Sequence, residues 1–464
     1  MPLPTELLQN IADEAGGRVV LVVGAGCSKE NPTNLELAGE LAERMHETLL
    51  NDHVLDEGDC EDPSDLSLLA DAVFEKTGGQ TALVERFPLS AMRLASPNEG
   101  HFLAAALLIE GCVGHILTLN FDLAMSSALT MLGAPATVSV VAGPSDFGQI
   151  GTQNLVYLHR NVDAPFEDWI LRTEILDQAW VAGWEELLAT KLLVAPVTVF
   201  VGLGSPARVL TDTVERITKA VPEGSHTFVV DSLGADGSTF ADAIGGSPDS
   251  IFALTWTEFM NALSERVLAG QRERLERTFD ELVASSDLAE SLDSAVCARL
   301  FQLGLVRLGQ LRSAWLLDTR PFAAEGSDDH RLWLADLLVA IGFAEEQSNS
   351  EAVFFDDGVI EFRRENEILS SVIVAHGRGH RGWVALESHL AVKAKRLVHD
   401  PAPSVVLVAG VNGEHRPHVS TPDSIVSNES GDLVVARQER IVMVAANEVR
   451  TEPDNYLRIL VGDE

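Results

Sequence analysis

Four short segments carry the residue types in this chain best suited to chemistry. In the first, the β-branched run Val19 to Val23 passes directly into Gly24-Ala25-Gly26-Cys27-Ser28. Glycines at a strand-to-helix turn let a ligand approach the backbone closely, and the N–H groups and dipole of a helix N-terminus favour a diphosphate. Glycine also serves packing alone at such turns, so this segment leaves both roles open. The second, Thr118-Leu119-Asn120-Phe121-Asp122, ends a strand and opens a helix. Asn120 and Asp122 stand where open parallel sheets hold ligands, and equally where an N-cap belongs. The third is His159, at the end of the run Leu155 to Leu158. A histidine titrates near neutrality and suits a general base, although a strand-end histidine is also a common structural residue. The fourth is Gly202-Leu203-Gly204-Ser205, another glycine turn after a strand.

These segments need a scaffold, and the pattern around them supplies one. Short β-branched runs at Arg18 to Val23, His115 to Leu119, Leu155 to Leu158, Thr198 to Gly202, Thr227 to Asp231 and Ser250 to Ala253 read as strands. Between them, Leu35 to Leu50, Leu66 to Lys76, His101 to Glu110, Leu123 to Leu132 and Ala207 to Ala220 have helical period. Alternation of this kind predicts an α/β fold, a Rossmann-like parallel sheet covered by helices.

At 464 residues the chain exceeds one ordinary core, which stops growing near about 250 to 300 residues. The expected division is a catalytic domain over 1–265, a helical connector over 266–320 and a second, α+β domain over 321–464. In that last domain the pattern reads as helix Arg331 to Ile341, strands Ala352 to Phe355, Val359 to Arg363 and Leu369 to His376, helix Trp383 to Val398 and strand Ser404 to Ala409. Further strands fall near Leu433 to Val435 and Ile441 to Ala445. Asp357-Gly358 is a hairpin signal.

Apolar residues make up 46% and charged residues 22%, enough for a sizeable core. The formal charge of -37, from 70 acidic and 33 basic residues, repels phosphate backbones and anionic lipid, so bulk nucleic-acid or membrane binding is not expected. The start of the chain lacks a signal-peptide pattern and no run is long enough to span a bilayer, which predicts a cytoplasmic protein. The four cysteines, Cys27, Cys60, Cys112 and Cys297, contain no C-x-x-C pair, and no metal site is expected.

Taken in order, G-A-G-x-S (Gly24 to Ser28), T-x-N-x-D (Thr118 to Asp122), L-H (Leu158-His159) and G-x-G-S (Gly202 to Ser205) resemble the sirtuin superfamily. Pro97-Asn98-Glu99-Gly100-His101 is also similar to the segment that precedes T-x-N-x-D there. The resemblance covers about residues 15 to 260. It implies NAD as substrate, with Gly24, Ala25, Gly26 and Ser28 around the phosphates and Asn120 and Asp122 near the nicotinamide ribose. It puts His159 at the active-site histidine and Gly204 and Ser205 beside the phosphates or the adenosine ribose. Asp231, ending TFVVD, would lie near that ribose, where a carboxylate suits the diol.

Three departures bear on the activity. Deacylase members usually carry Gln where Leu119 stands, His-Gly where His159-Arg160 stands, and a four-cysteine zinc ribbon that this sequence lacks. The pattern looks more like the sirtuin-like NAD glycohydrolases of bacterial anti-phage defence, which deplete NAD in abortive infection. Catalysis is then expected from Asn120 and His159 without a metal. The expected partners are a defence-system protein or an activating nucleotide, in a homo-oligomer or hetero-complex. The alternatives are a non-catalytic subunit that senses NAD or ADP-ribose, and an NAD-dependent protein deacylase.

The order of elements in the last domain resembles the core of PD-(D/E)xK nucleases, but its third strand, SSVIVAH, lacks the acid-x-lysine pair. A regulatory or assembly role is expected instead. The loop His376 to Arg381 is a cationic patch suited to phosphate, or else a solvated turn. Lys393, Lys395 and Arg396 read as an exposed face.

Overall fold

The computed structural model describes residues 3–13, 16–134, 138–181, 183–204, 208–221, 223–234, 240, 248–285, 295–315, 330–365, 367–376, 390–409 and 441–461. The chain divides into two compact units, Met1–Val267 and Leu268–Glu464.

The first unit is a Rossmann-like parallel sheet. Its strands are β1 (Val19–Val23), β2 (Val113–Thr118), β3 (Ser139–Val141), β4 (Asn154–Tyr157), β5 (Val197–Val201), β6 (His226–Val230) and β7 (Ile251–Phe252). They lie in the order β3-β4-β2-β1-β5-β6-β7, and every neighbouring pair is parallel. All five residues of β1 are buried, as a central strand covered on both faces requires. Val20 and Val22 join a core with Leu117, Val156, Phe200, Val214 and Ile217, so one face of the sheet is closed by helix Arg208–Ala220 among others. Helix Glu99–Ile109 packs on β2.

Several elements of this unit had no expectation, among them β3, a three-residue edge strand paired only with β4, and the helices Thr173–Val181 and Trp184–Leu192. The strand order reverses at β1, with β2 on one side and β5 on the other. A sheet of this kind opens a crevice at the carboxyl ends of its strands where the order reverses.

The second unit holds a mixed five-stranded sheet in the order β12-β11-β10-β9-β8. Its strands are β8 (Glu351–Phe354), β9 (Val359–Arg364), β10 (Glu367–His376), β11 (Val405–Ala409) and β12 (Val442–Ala445). β8, β9 and β10 are antiparallel neighbours, and β10, β11 and β12 run parallel. Gly358, with φ +88°, makes the β8–β9 turn. Helix His330–Ser348 covers the sheet, and Leu275, Leu308, Leu311 and Trp315 share its core.

Two expectations for this unit change. His376 is not part of an exposed cationic patch: it is buried, its Nε2 lies 2.8 Å from the Arg312 carbonyl, and burial pushes its pKa down to about 3. Lys393 is half-buried and donates to the Ala314 carbonyl at 3.4 Å, whereas Lys395 and Arg396 are exposed. The loop Arg320 to Asp329, the patch residues Arg378 and Arg381 and the strand expected near Leu433 lie outside the described residues.

Candidate active site

One cavity of about 670 Å³ lies over the carboxyl ends of β4, β2, β1, β5 and β6. Each strand delivers a residue to it: His159 after β4, Asn120 after β2, Gly24 to Ser28 after β1, Gly202 to Gly204 after β5 and Asp231 after β6. Nine of the ten residues singled out from the sequence, Gly24, Ala25, Gly26, Ser28, Asn120, Asp122, His159, Gly204 and Asp231, therefore line one space. Ser205 lies outside the described residues.

The first glycine turn differs from its expectation. No long helix follows it directly; Ala25–Ser28 is a four-residue 3-10 turn, and the next helix starts at Ala38. A full helix dipole is therefore not aimed at this point, because the dipole builds from successive aligned peptides. The Gly24 and Gly26 amides donate to the Val201 and Gly202 carbonyls, both at 2.9 Å. A Cβ on Gly24 would sit 2.7 Å from the Gly202 oxygen, and one on Gly26 would sit 2.8 Å from the Gly202 Cα. These glycines let the turns after β1 and β5 cross in contact. Gly204 is the contrast: a Cβ there would meet nothing within 4 Å, so no protein neighbour requires glycine at that point of the wall.

Asn120, Ser28 and Asp122 form a chain of hydrogen bonds. The Asn120 amide nitrogen donates to the Gly24 carbonyl at 3.1 Å and to Ser28 Oγ at 3.3 Å, and the Ser28 hydroxyl donates to Asp122 Oδ2 at 2.9 Å. The Gly24 carbonyl can only accept, and the one hydroxyl proton of Ser28 is committed to Asp122. The Asn120 amide group must face them, which turns its carbonyl oxygen away from them. Asp122 also accepts from the Ala124 amide at 2.9 Å, a turn contact one residue ahead of the N-cap, which is Leu123 and carries no side-chain cap. Burial holds its carboxyl above the usual range.

His159 is 5% exposed, and its Nε2 lies 2.9 Å from Thr213 Oγ1 on helix Arg208–Ala220. The near-neutral pKa expected for it does not hold. Burial, with the Arg160 guanidinium next to it, pushes the imidazole down to about 3. Arg160 itself has φ +73° and pairs with the buried Glu185. Phe121, which lines the cavity, stacks on the buried Trp169 with ring centroids 4.4 Å apart.

Several residues in the cavity wall or bonded to it were given no role from the sequence. Asn98, in the Pro97 to His101 segment, caps helix Glu99–Ile109 and donates to the Cys27 carbonyl at 2.8 Å. Its N-cap position was the available signal. Helix Ala38–Asn51 contributes Glu40 and Glu43 to the wall, and Lys29 pairs with Glu40 at 2.6 Å. Glu30, Glu36, Asp122 and Asp231 complete an acidic lining. Thr213 had no sequence signal at all.

Cys27, Cys60 and Cys112 are free and buried, and among the described residues no group of three or more His, Cys, Asp or Glu side chains could hold a metal ion. Among the described residues no helix is long and apolar enough to cross a membrane.

No family model matches the chain, and no curated protein matches it. Among solved structures it is similar to a Sir2 homologue in complex with NAD, at 13% identity and a TM-score of 0.35, over 58% of this chain and 95% of that one. It is also similar to an ADP-ribose complex of a Sir2 homologue, at 15% identity and a TM-score of 0.33, over 57% of this chain and 96% of that one. Likeness at these scores is no argument for function.

Proposed function

We propose that the cavity binds NAD and that the chain is an NAD glycohydrolase, releasing nicotinamide and ADP-ribose. The observation that carries the proposal is the placement of Asn120 and His159 at the ends of the adjacent strands β2 and β4, on one cavity with the two glycine turns. Two polar side chains at neighbouring strand ends are what a bond cleavage over the sheet needs, and the motif order that resembles the sirtuins includes both.

The chemistry needs little from the protein. The bond between ribose C1′ and the pyridinium nitrogen breaks with its electron pair going to nicotinamide, which leaves neutral. The oxocarbenium-like ribosyl centre then takes the oxygen of one water, and a proton is lost. The carbonyl oxygen of Asn120 accepts a hydrogen bond from that water or from a ribose hydroxyl. His159, neutral throughout the physiological range, accepts a hydrogen bond from the water, whose proton passes on to solvent. Asp122 acts through Ser28, holding the Asn120 amide in one orientation. Gly24 to Ser28 and Gly204 lie along the phosphates, Asp231 meets a ribose diol, and the Phe121–Trp169 stack keeps bulk water from the reacting centre.

Uncontrolled hydrolysis of NAD is toxic to its host. We therefore place the activity in anti-phage defence, gated by a partner protein, an assembly step or a nucleotide, with the second unit as the regulatory part. The test is to incubate the purified chain with NAD, alone, with an acylated peptide, and with the products of neighbouring genes. Release of nicotinamide without peptide supports the hydrolase. Peptide-dependent release supports a deacylase, and binding without release supports a sensing subunit.

A further inference from the structure

Thr213 is the sixth residue of helix Arg208–Ala220 and is fully buried. The start of that helix is fastened from another segment: the Asp65 carboxylate accepts from the Arg208 amide at 3.2 Å, and the Ser67 hydroxyl oxygen accepts from the Val209 amide at 3.0 Å. The Thr213 hydroxyl has two close neighbours, the Val209 carbonyl at 2.7 Å and His159 Nε2 at 2.9 Å. A hydroxyl has one proton to give. A carbonyl oxygen has none, so the contact with Val209 is a hydrogen bond only if Thr213 donates to it. The contact with His159 is then a hydrogen bond only if Nε2 carries a proton and donates to Thr213. The reverse assignment would leave two oxygens 2.7 Å apart in a buried site without a proton between them, at the cost of an unmade hydrogen bond.

We infer that Thr213 is a positioning residue for His159, locking the imidazole as its Nε2–H tautomer so that Nδ1 presents the lone pair. Nδ1 has no protein partner among the described residues, and His159 lines the cavity. The helix that carries Thr213 also carries Val209, which lines the same cavity. The catalytic consequence rests on the NAD-cleaving reading, because a base or acceptor with its lone pair on the wrong nitrogen cannot hold the water. The tautomer does not rest on it.

The test uses the full chain labelled with ¹⁵N-histidine, with His159→Gln to assign the ring. Long-range ¹H–¹⁵N spectra distinguish a protonated Nε2 from a protonated Nδ1. The expected result is a single Nε2–H pattern, unchanged from pH 5 to 8. Thr213→Val, which keeps the shape and removes the hydroxyl, should replace that pattern with a mixture, and should lower kcat by about tenfold or more while KM stays within about twofold. Thr213→Ser should restore both. A wild-type spectrum showing Nδ1–H or a mixture overturns the inference, and so does a folded Thr213→Val protein with an unchanged pattern. Should the valine variant not fold, the wild-type and serine spectra still decide. Absence of NAD cleavage in an activated wild-type protein, with the Nε2–H pattern intact, would defeat the proposed function and leave the tautomer standing.

Discussion

The Arg160 guanidinium lies 3.1 Å from the Glu185 carboxylate, and the two side chains are only 10% and 1% exposed. Arg160 directly follows His159 and has φ +73°, which costs an L-residue about 1 to 2 kcal/mol and a glycine nothing. The buried pair thus holds the chain in a conformation its own residue resists, at the point where it leaves His159. Replacing Arg160 with glycine relieves the backbone but removes the counter-ion of a buried carboxylate, at about 3 to 5 kcal/mol. Arg160→Gly should therefore destabilise the first unit by about 2 kcal/mol or more, measured by urea unfolding. Arg160→Gly with Glu185→Leu should recover most of the loss. A single glycine variant as stable as wild type would show that the ion pair does not hold this turn.

Asn120→Ala and His159→Ala should each lower NAD cleavage by about 100-fold or more while leaving the far-ultraviolet spectrum unchanged. Asn120 is half-buried at a strand end, and its lost hydrogen bonds should cost about 1 kcal/mol of stability. Near-normal turnover in either folded variant would remove that residue from the mechanism. Loss of soluble protein in both would favour a structural role for the pair.

The acid limb of stability follows from three histidines of the first unit, His101 and His159 buried and His115 half-buried. Burial pushes His101 and His115 down to about 4 and His159 to about 3, so each stays neutral in the folded chain where the unfolded chain is protonated. As pH falls below the unfolded value of about 6.5, each should remove about 1.4 kcal/mol per pH unit until its folded value is reached. Asp122, held above its usual range, works in the opposite sense. Urea midpoints should drop steeply from pH 6.5 to pH 4.5, whereas kcat for NAD should show no inflection near pH 6.5 from His159. A flat stability profile with a kcat inflection there would mean that His159 titrates as an exposed imidazole.

Much of the sheet was legible because buried parallel strands are nearly continuous β-branched runs; Val19 to Val23 and Val197 to Val201 need no partner to be seen. β3 was not legible: three residues on an edge carry too little pattern, and they are fixed by pairing with β4. The site residues could be read because each ends a strand. What those residues do depends on contacts made far along the chain. Gly24 and Gly26 meet Gly202, and the pKa of His159 is set by burial and by Arg160. The Thr213 contact joins residues 54 positions apart, and no local pattern marks the threonine.

Substrate choice follows from the lining. Glu30, Glu36, Glu40, Glu43, Asp122 and Asp231 face the cavity, and Lys29 is engaged by Glu40 at 2.6 Å. The added 2′-phosphate of NADP would meet carboxylates there, where NADP-binding sites place an arginine. NAD should be preferred over NADP by about tenfold or more in kcat/KM, and Asp231→Asn should narrow the gap. Equal use of both dinucleotides would place the adenosine ribose away from Asp231.

The most direct measurement is cleavage of NAD in ¹⁸O-labelled water by the full chain purified together with the products of its neighbouring genes. Nicotinamide and ADP-ribose should appear in equal amounts, with one ¹⁸O on the ribose C1′ of the product, and Asn120→Ala should abolish both. If NAD stays intact under every activating condition, or if the Asn120→Ala protein cleaves it at the wild-type rate, the cavity over β4, β2 and β1 is not an NAD glycohydrolase site.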